Sequence, residues 1–318
     1  MTTNKLLPDF YVAGFRKCGT TTICDWLSQH PQICKPYPKE PNVFAFDDLD
    51  SNRFTFFEAK KRWWEADFEM CPKRELSRYE QVFKNYVDGQ LKFDGTPNYI
   101  TSIKALERIK NYTPNAKFII MLRHPFKRAI SDFKFTVRQR RASYSLEGHI
   151  KYEHTTVLDD SLYLKHIKNL FRYFSSENIL ILTLEETISN EQAVIHQISE
   201  FLEIKLWTPN KQVKNTGQSF HSYKLQYALN RLPKLWLSRY NTIEHYNEHL
   251  KESKDSFFKK SATIFINRLG NLNKTQKKKN PYLSKDFEEQ LQEYFIRENR
   301  GLSSLINKDL KAIWKLEI

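Results

Sequence analysis

The chain has 318 residues, 40% hydrophobic and 14% aromatic, enough apolar side chain for the core of one large α/β domain and too much for a disordered chain. Its 51 lysines and arginines against 37 aspartates and glutamates give a formal charge of +14. That charge calls for a polyanionic ligand but does not choose among nucleotide, glycan, nucleic acid and anionic membrane.

No apolar run reaches the roughly eighteen residues of a membrane span, and the N-terminal segment runs directly into an apolar strand pattern. The expectation is a cytoplasmic protein without a signal peptide or transmembrane segment. Cys18, Cys24, Cys34 and Cys71 form no CxxC pair, so no metal site is expected, and they read as reduced, mostly buried thiols.

In chain order, residues 10–13 are aromatic and β-branched and read as a strand; 14–19 form a tight loop; 20–30 read as a helix ended by Pro31. Residues 35–50 are rich in proline and charge and read as loop. An aromatic segment over 53–86, with Phe54, Phe56, Phe57, Trp63 and Trp64, reads as helical. An extended stretch ends near Pro97, and a short helix follows with Thr101 or Ser102 as its cap. Residues 116–122 are continuously apolar after Lys117, as in a central parallel strand, and 126–138 form the next helix. Residues 178–184 give a third strand, with helices near 160–174, 188–202 and 284–298.

Strands alternating with helices predict an α/β fold: a P-loop-like core with a central parallel sheet flanked by helices, plus helical and irregular insertions. One domain spans 1–318. Within it, 205–282 reads as irregular and aromatic, including Trp236 and Tyr240, and is a candidate acceptor-binding or capping region.

The loop after the first strand carries the first chemical signal. Gly14 and Gly19 bound it, Lys17 supplies a cation, and Thr20, Thr21 and Thr22 open the helix with hydroxyl donors. A helix start offers N–H groups and a positive dipole end, which together cradle a phosphate. A nucleoside triphosphatase loop places its lysine directly after the second glycine. Here Thr20 stands there and the lysine precedes Gly19 by two positions. The central strand ends in Arg123 rather than a magnesium-binding aspartate, which speaks against a P-loop kinase.

The segment LRHPFKRAISDF supplies a second anion site: Arg123 at the carboxyl edge of the sheet and Ser131 in the helix that Pro125 starts. Taken alone, Arg123 reads equally well as the partner of a structural carboxylate. KCGTTTICDWLSQHP after one strand and LRHPFKRAISDF after a later one resemble the sulfotransferases that use 3′-phosphoadenosine 5′-phosphosulfate (PAPS), closest in style to the carbohydrate branch, with its heparan sulfate enzymes and related bacterial ones. PKEPNVF, DGTPNYITSIKALERI, the third-strand region and the C-terminal segment resemble the same branch.

The resemblance implies that Lys17, Gly19, Thr20, Thr21 and Thr22, with Arg16 and Cys18 in the same loop, bind the 5′-phosphosulfate, and that Arg123 and Ser131 bind the 3′-phosphate. It implies Glu40 as the base, Lys17 on the leaving side and Lys104 as a further active-site cation, with no metal. It also implies a carbohydrate or glycolipid acceptor, with a small alcohol or phenol as the alternative. An inert polyanion-binding module is the reading from another class. Nucleic acid is not an expected partner, because no recognition-helix or finger signature is present.

Four further expectations come from position. Asp94 either contacts the acceptor or caps the turn at Gly95. His30 has a capping or packing role. One of Glu185 and Glu186, just past the third strand, is expected to hold structural partners near the site. Of two basic clusters, Arg138–Arg140–Arg141 is either a steering surface or a solvated face, and Lys277–Lys278–Lys279 lies in the general region where the resembled enzymes carry a loop over the 3′-phosphate, without that loop's arginine–glycine pattern.

Overall fold

The computed structural model describes residues 6–44, 76, 79–142, 144–152, 156–210, 219–234, 257–277 and 279–318. In chain order the core elements are β1 (Phe10–Gly14), α1 (Thr20–Leu27), β2 (Ile33–Cys34), β3 (Leu91–Asp94), α2 (Ile103–Tyr112), β4 (Lys117–Leu122) and α3 (Pro125–Arg138). They continue with α4 (Leu146–Tyr152), α5 (Thr156–Asp159), α6 (Tyr163–Tyr173), β5 (Ile179–Thr183), α7 (Leu184–Ser189) and α8 (Glu191–Leu202). The last part holds β6 (Ser219–Phe220), α9 (Tyr223–Lys234), α10 (Phe257–Leu272), β7 (Lys274–Thr275), α11 (Lys285–Glu298), α12 (Leu302–Leu305) and α13 (Leu310–Trp314).

The main sheet has the order β2-β3-β1-β4-β5 and is parallel throughout. Its central strands are apolar on both faces because helices cover both. All five residues of β1 are buried, and so are Phe118 to Leu122 of β4. From β1 the chain crosses to β2 on one side; from β4 it crosses to β5 on the other. The crevice between the carboxyl ends of β1 and β4 is therefore a topological switch point, where open α/β sheets bind ligands. The two motifs singled out in the sequence start at these two strand ends.

Two cores hold the fold. The larger one surrounds the sheet and takes in Ile23 and Leu27 of α1, Ile109 of α2, Ile167 of α6, Ile198 of α8 and Trp314. The second surrounds α3 and takes in Ala129, Phe133, Val137, Leu146, Val157, Phe220, Leu291 and Phe295. Complete burial of a side chain such as Phe133 contributes about 1.5–3 kcal/mol.

The element boundaries differ from the sequence reading for local reasons. The third strand stops at Thr183, not 184, because Thr183 caps α7: its hydroxyl accepts from the Glu186 N–H while Glu186 accepts from the Thr183 N–H. The helix expected over 188–202 is two helices, because Asn190 ends α7 and its side chain accepts from the Ala193 N–H to start α8. Ser102, not Thr101, caps α2, accepting from the Ala105 N–H at 3.1 Å.

A larger correction concerns 205–282. Its described part is ordered as α9, α10 and the antiparallel pair β6–β7. On α9 the apolar period is interrupted, because amides stand beside Leu229 on its packed face. Asn230 donates to the carbonyls of Val137 (3.0 Å) and Ala142 (2.7 Å), Gln226 donates to Asn230, and Asn273 donates to the Ser222 carbonyl. Most of the segment over 53–86, with Phe54, Phe56, Phe57, Trp63, Trp64 and Cys71, lies outside the described residues. Trp236, Tyr240 and Lys278 lie outside them too.

Candidate active site

The loop after β1 is made by backbone geometry. Gly14 pairs with Met121 of β4 and has φ +119°. A Cβ there would stand 2.5 Å from the Met121 backbone nitrogen, so only glycine lets the two central strands approach. The Phe15 N–H donates back to the Met121 carbonyl (3.2 Å), and the Cys18 N–H closes a turn onto the Phe15 carbonyl (3.2 Å). Lys17 is left-handed (φ 68°), and so is Gly19 (φ 95°), the residue before α1. A left-handed lysine is strain of the kind concentrated at binding sites. Glycine at the start of α1 has no side chain to satisfy the first-turn N–H groups, which leaves them to an anion.

The opposite wall is α3. Arg123 follows β4 directly, and its Nη1 donates to the Lys17 carbonyl at 3.1 Å, tying the two motifs together. The carbonyl of Arg123 accepts from the Tyr163 hydroxyl (2.7 Å). The His124 N–H donates to Glu185, whose other oxygen accepts from the Trp314 indole (3.0 Å). Glu185 and Glu186 are thus both structural anchors, where one is expected; Glu186 also accepts from Lys308 Nζ at 2.8 Å.

Behind this wall lies a buried ionic group that the sequence reading missed. Arg128 is fully buried, with Asp132 one turn further along α3. Asp132 accepts from Arg128 (3.4 Å) and from Arg16 of the loop (3.3 Å). Arg128 also donates to Ser161 Oγ (2.6 Å), to the Val157 carbonyl and to the Arg16 carbonyl (3.4 Å). Burial alone would raise the Asp132 carboxyl; Arg16, Arg128 and Lys17 outweigh it and hold it below the usual carboxylate range. The available signal was two charges at i, i+4 on positions that the helical period assigns to the core.

Between loop and helix lies a cavity of about 870 Å³. Of the residues expected at the site, Arg16, Lys17, Gly19, Thr20, Thr21, Thr22, Arg123, Ser131 and Glu40 all line it. Glu40 stands at its edge, 44% exposed, and Lys39 bridges the two sides of the corner: its Nζ lies 2.6 Å from Glu40 Oε1 and donates to Thr21 Oγ1 at 3.1 Å. Lys127, Lys134, Phe135, Arg138 and Arg141 extend the α3 wall, and Asn280, next to the C-terminal lysine cluster, closes the far side. Lys17 rests over the Phe135 ring, 4.5 Å from its centroid. Burial first, then Arg138, pulls the Lys17 ammonium down to about 8, against the opposing pull of Asp132.

Other expected residues sit elsewhere. Cys18 does not line the cavity; its thiol is buried 3.7 Å from the Tyr163 hydroxyl, and burial pushes it up to about 12. Lys104 is exposed on the first turn of α2 and does not line the cavity either. Asp94 is fully buried and accepts from the Tyr79 and Tyr99 hydroxyls and the Thr96 N–H, so the structural alternative holds for it. Burial pushes it up to about 6 against those three donors. His30 packs as expected, bonded to the Lys205 carbonyl and the Gln32 N–H. His124 is buried, and burial lowers it to about 4. Of the basic cluster at 138–141, Arg138 and Arg141 face the cavity, whereas Arg140 turns to α10 and donates to Asn267.

Comparison with known proteins agrees with this architecture. The crystal structure of a sulfotransferase from Alicyclobacillus acidocaldarius superposes with a TM-score of 0.64 at 20% identity, over 97% of this chain and 99% of that one, a likeness of fold. Among curated proteins, the mouse heparan sulfate glucosamine 3-O-sulfotransferase 6 is 25% identical over 206 residues, covering 62% of this chain and 53% of that protein. The human heparan sulfate glucosamine 3-O-sulfotransferase 3B1 is 24% identical over 210 residues, covering 64% and 47%. The chain thus spans about half the length of these curated relatives. A profile of the sulfotransferase family matches residues 8–209, which include β1, the glycine-bounded loop, Glu40, Arg123 and Ser131; the chain belongs to that family.

Proposed function

We propose that the protein transfers the sulfuryl group of PAPS to a hydroxyl or amino group of a carbohydrate or glycolipid acceptor. The observation that carries this reading is the one cavity lined on one side by the glycine-bounded loop and on the other by Arg123 and Ser131, with Glu40 at its edge. Two candidate anion sites in one cavity suit a donor with a 5′-phosphosulfate and a separate 3′-phosphate, and a nucleoside triphosphate lacks the second group. The carbohydrate part of the proposal leans on the names of the curated relatives and on the basic α3 wall.

The residues present fit that donor. The first turn of α1, Lys17 and the threonine hydroxyls take the 5′ end; the Arg123 guanidinium and the Ser131 hydroxyl take the 3′-phosphate. When bound, PAPS supplies a sulfur already joined to a good leaving group. Glu40 accepts the acceptor's proton as the new S–O (or S–N) bond forms. The bond from sulfur to the phosphate bridging oxygen breaks, and its electron pair leaves on adenosine 3′,5′-bisphosphate. Lys17, with the α1 N–H groups, stabilises the charge that develops on that phosphate. Lys39, held between Glu40 and Thr21, keeps the base aligned with the donor end.

The test is transfer of labelled sulfate from PAPS to glycans, glycolipids and small hydroxyl compounds, with wild type and Glu40→Gln. The expected result is label on a sugar-containing acceptor and a loss of about 10²–10⁴-fold in kcat for the variant, with binding of adenosine 3′,5′-bisphosphate unchanged. Transfer to a small phenol or alcohol alone would overturn the acceptor class. Full activity of Glu40→Gln would remove Glu40 as the base. No bisphosphate binding would overturn the whole reading.

A further inference from the structure

Beyond the cavity, one surface combines features that a water-facing surface does not need. On α9, Leu225 and Leu232 are each 44% exposed, and on α10 Ile264, Phe265 and Leu272 are 53%, 62% and 77% exposed. On α10 the helical period gathers Ile264, Phe265 and Leu272 on an arc away from the packed Ile266 and Gly270, and on α9 Leu225 and Leu232 share one line along the helix, at the edge of the packed face that holds Gln226, Leu229 and Asn230. Cations stand among and beside them: Lys224 and Arg231 on α9, Arg268 on α10, and Lys274, Lys277 and Lys279 just beyond.

Among the described residues of α9, α10 and their flanks the charge is of one sign. Residues 219–234 contain three Lys or Arg and residues 257–280 contain seven, with no Asp or Glu in either stretch. By contrast α11 mixes signs, with Asp286, Glu288, Glu289, Glu293 and Glu298 against Lys285 and Arg297, as a surface serving only solubility does. An unmixed basic field with exposed Phe, Ile and Leu at its centre has the composition of a helix face that lies in a lipid–water interface. Nucleic acid would answer the charge, but its interfaces are polar and do not take up aliphatic surface.

We propose that the outer face of α9 and α10, with the cations that follow α10, docks on an anionic lipid bilayer. Phe265, Leu272 and their neighbours enter the acyl boundary, while the lysines and arginines lie at the headgroup phosphates. The surface is rigidly joined to the cavity. Arg140, at the end of α3, donates to Asn267 of α10, and Asn230 of α9 donates to the last carbonyls of the α3 region. The Lys279 carbonyl accepts from Ser219 Oγ and the Tyr223 hydroxyl, and the next residue, Asn280, lines the cavity and accepts from Lys134. Docking therefore brings the cavity rim to the headgroup layer and narrows the acceptor to a glycolipid. That last step rests on the sulfotransferase reading; the docking itself does not.

The experiment is co-sedimentation of the full chain, without nucleotide or acceptor, with vesicles of phosphatidylcholine alone and of phosphatidylcholine containing phosphatidylglycerol. The expected result is binding to the anionic vesicles only, weakened by salt. The double variant Phe265→Glu/Leu272→Glu should lose at least about tenfold in partition coefficient, and so should Lys277→Glu/Lys279→Glu, with thermal stability and bisphosphate binding unchanged. Four outcomes overturn the proposal. Retention of wild type in the supernatant at every lipid concentration sinks it, as does binding by both double variants equal to that of wild type. Binding lost in the charge variant but kept in the apolar one assigns the face to a soluble polyanion. A wild-type dimer that the apolar variant dissociates, seen by light scattering, assigns the face to a second copy of the chain. Because bisphosphate binding is read separately, failure of docking and failure of the sulfotransferase reading are distinguishable.

Discussion

The two walls of the cavity are built in different ways. The loop between β1 and α1 is a backbone device: Gly14 against Met121, a left-handed Lys17 and Gly19, and a helix start without a side-chain cap. The α3 wall is a side-chain device: Arg123 just before the helix, and Ser131, Lys134 and Arg138 on it, project from an element whose far side is held by apolar packing and by the Arg128–Asp132 pair. A backbone device fails when an atom is added. A side-chain device fails group by group, in proportion to what each group touches.

The largest expected effect tests the first half of that contrast. Gly14→Ala adds a Cβ at a backbone position where the nearest neighbour is another strand's amide, so neither strand can yield cheaply. A loss of about 4 kcal/mol or more is expected, read by denaturant unfolding. An alanine variant of near wild-type stability would show that the strands relax and that the loop is not backbone-locked.

Next in size is Asp132→Ala. It leaves Arg128 in the interior without its closest carboxylate and releases Arg16 from the α3 wall. A loss of about 3–5 kcal/mol in stability is expected, with weaker bisphosphate binding in whatever folds. Calorimetry on the variant settles the first point and titration the second. A stability change near zero would mean that Asp160, 4.0 Å from Arg128, takes over the charge.

Lys17→Met separates function from stability. The expected loss in kcat is about 10²–10³-fold. The melting temperature should not fall at pH 7, because the folded-state pKa of Lys17 lies at about 8, below its ordinary 10.5. Holding that charge costs folding stability below pH 8, and the cost fades as pH rises from about 8 to 10.5. The same displacement predicts a pH dependence of binding. An anion stabilises the ammonium, so wild-type affinity for the bisphosphate should be flat below about pH 8 and decline above it, by at most about tenfold per pH unit. A decline that persists in Lys17→Met would move the titrating group elsewhere.

The smallest effect belongs to Ser131→Ala, which removes one hydroxyl from the exposed side of α3. About a tenfold loss in bisphosphate affinity is expected, with unchanged unfolding and a smaller effect on adenosine 5′-monophosphate, which lacks the 3′-phosphate. Equal losses for both ligands would remove Ser131 from the 3′ site.

Much of this molecule was legible in its sequence because the deciding interactions are local. Continuous apolar runs at 10–13 and 116–122 specify strands covered on both faces, and the order of Gly14, Lys17, Gly19 and three threonines specifies a tight loop that leads into a helix. Thr183 and Asn190 were misjudged by a residue or two, since a cap is a choice between two competing local bonds. What the chain pattern could not reveal was contact across long separations. The Arg128–Asp132–Arg16 group is invisible as a group until α3 packs behind the loop, and Asp94 reads as either an acceptor contact or a turn cap until Tyr79 and Tyr99 close over it. Helix α9 escaped notice because amides stand beside Leu229 on its packed face, and the hydrogen bonds from Asn230 to Val137 and Ala142 add there to what burial of leucine does elsewhere. Sequence alone determined the strands and the glycine-bounded loop, since these depend on backbone stereochemistry and residue order. Only the tertiary structure decided that Lys17, Glu40, Arg123 and Ser131 share one cavity while Cys18 and Lys104 stand outside it, because that depends on which strand ends meet at the switch point of the sheet.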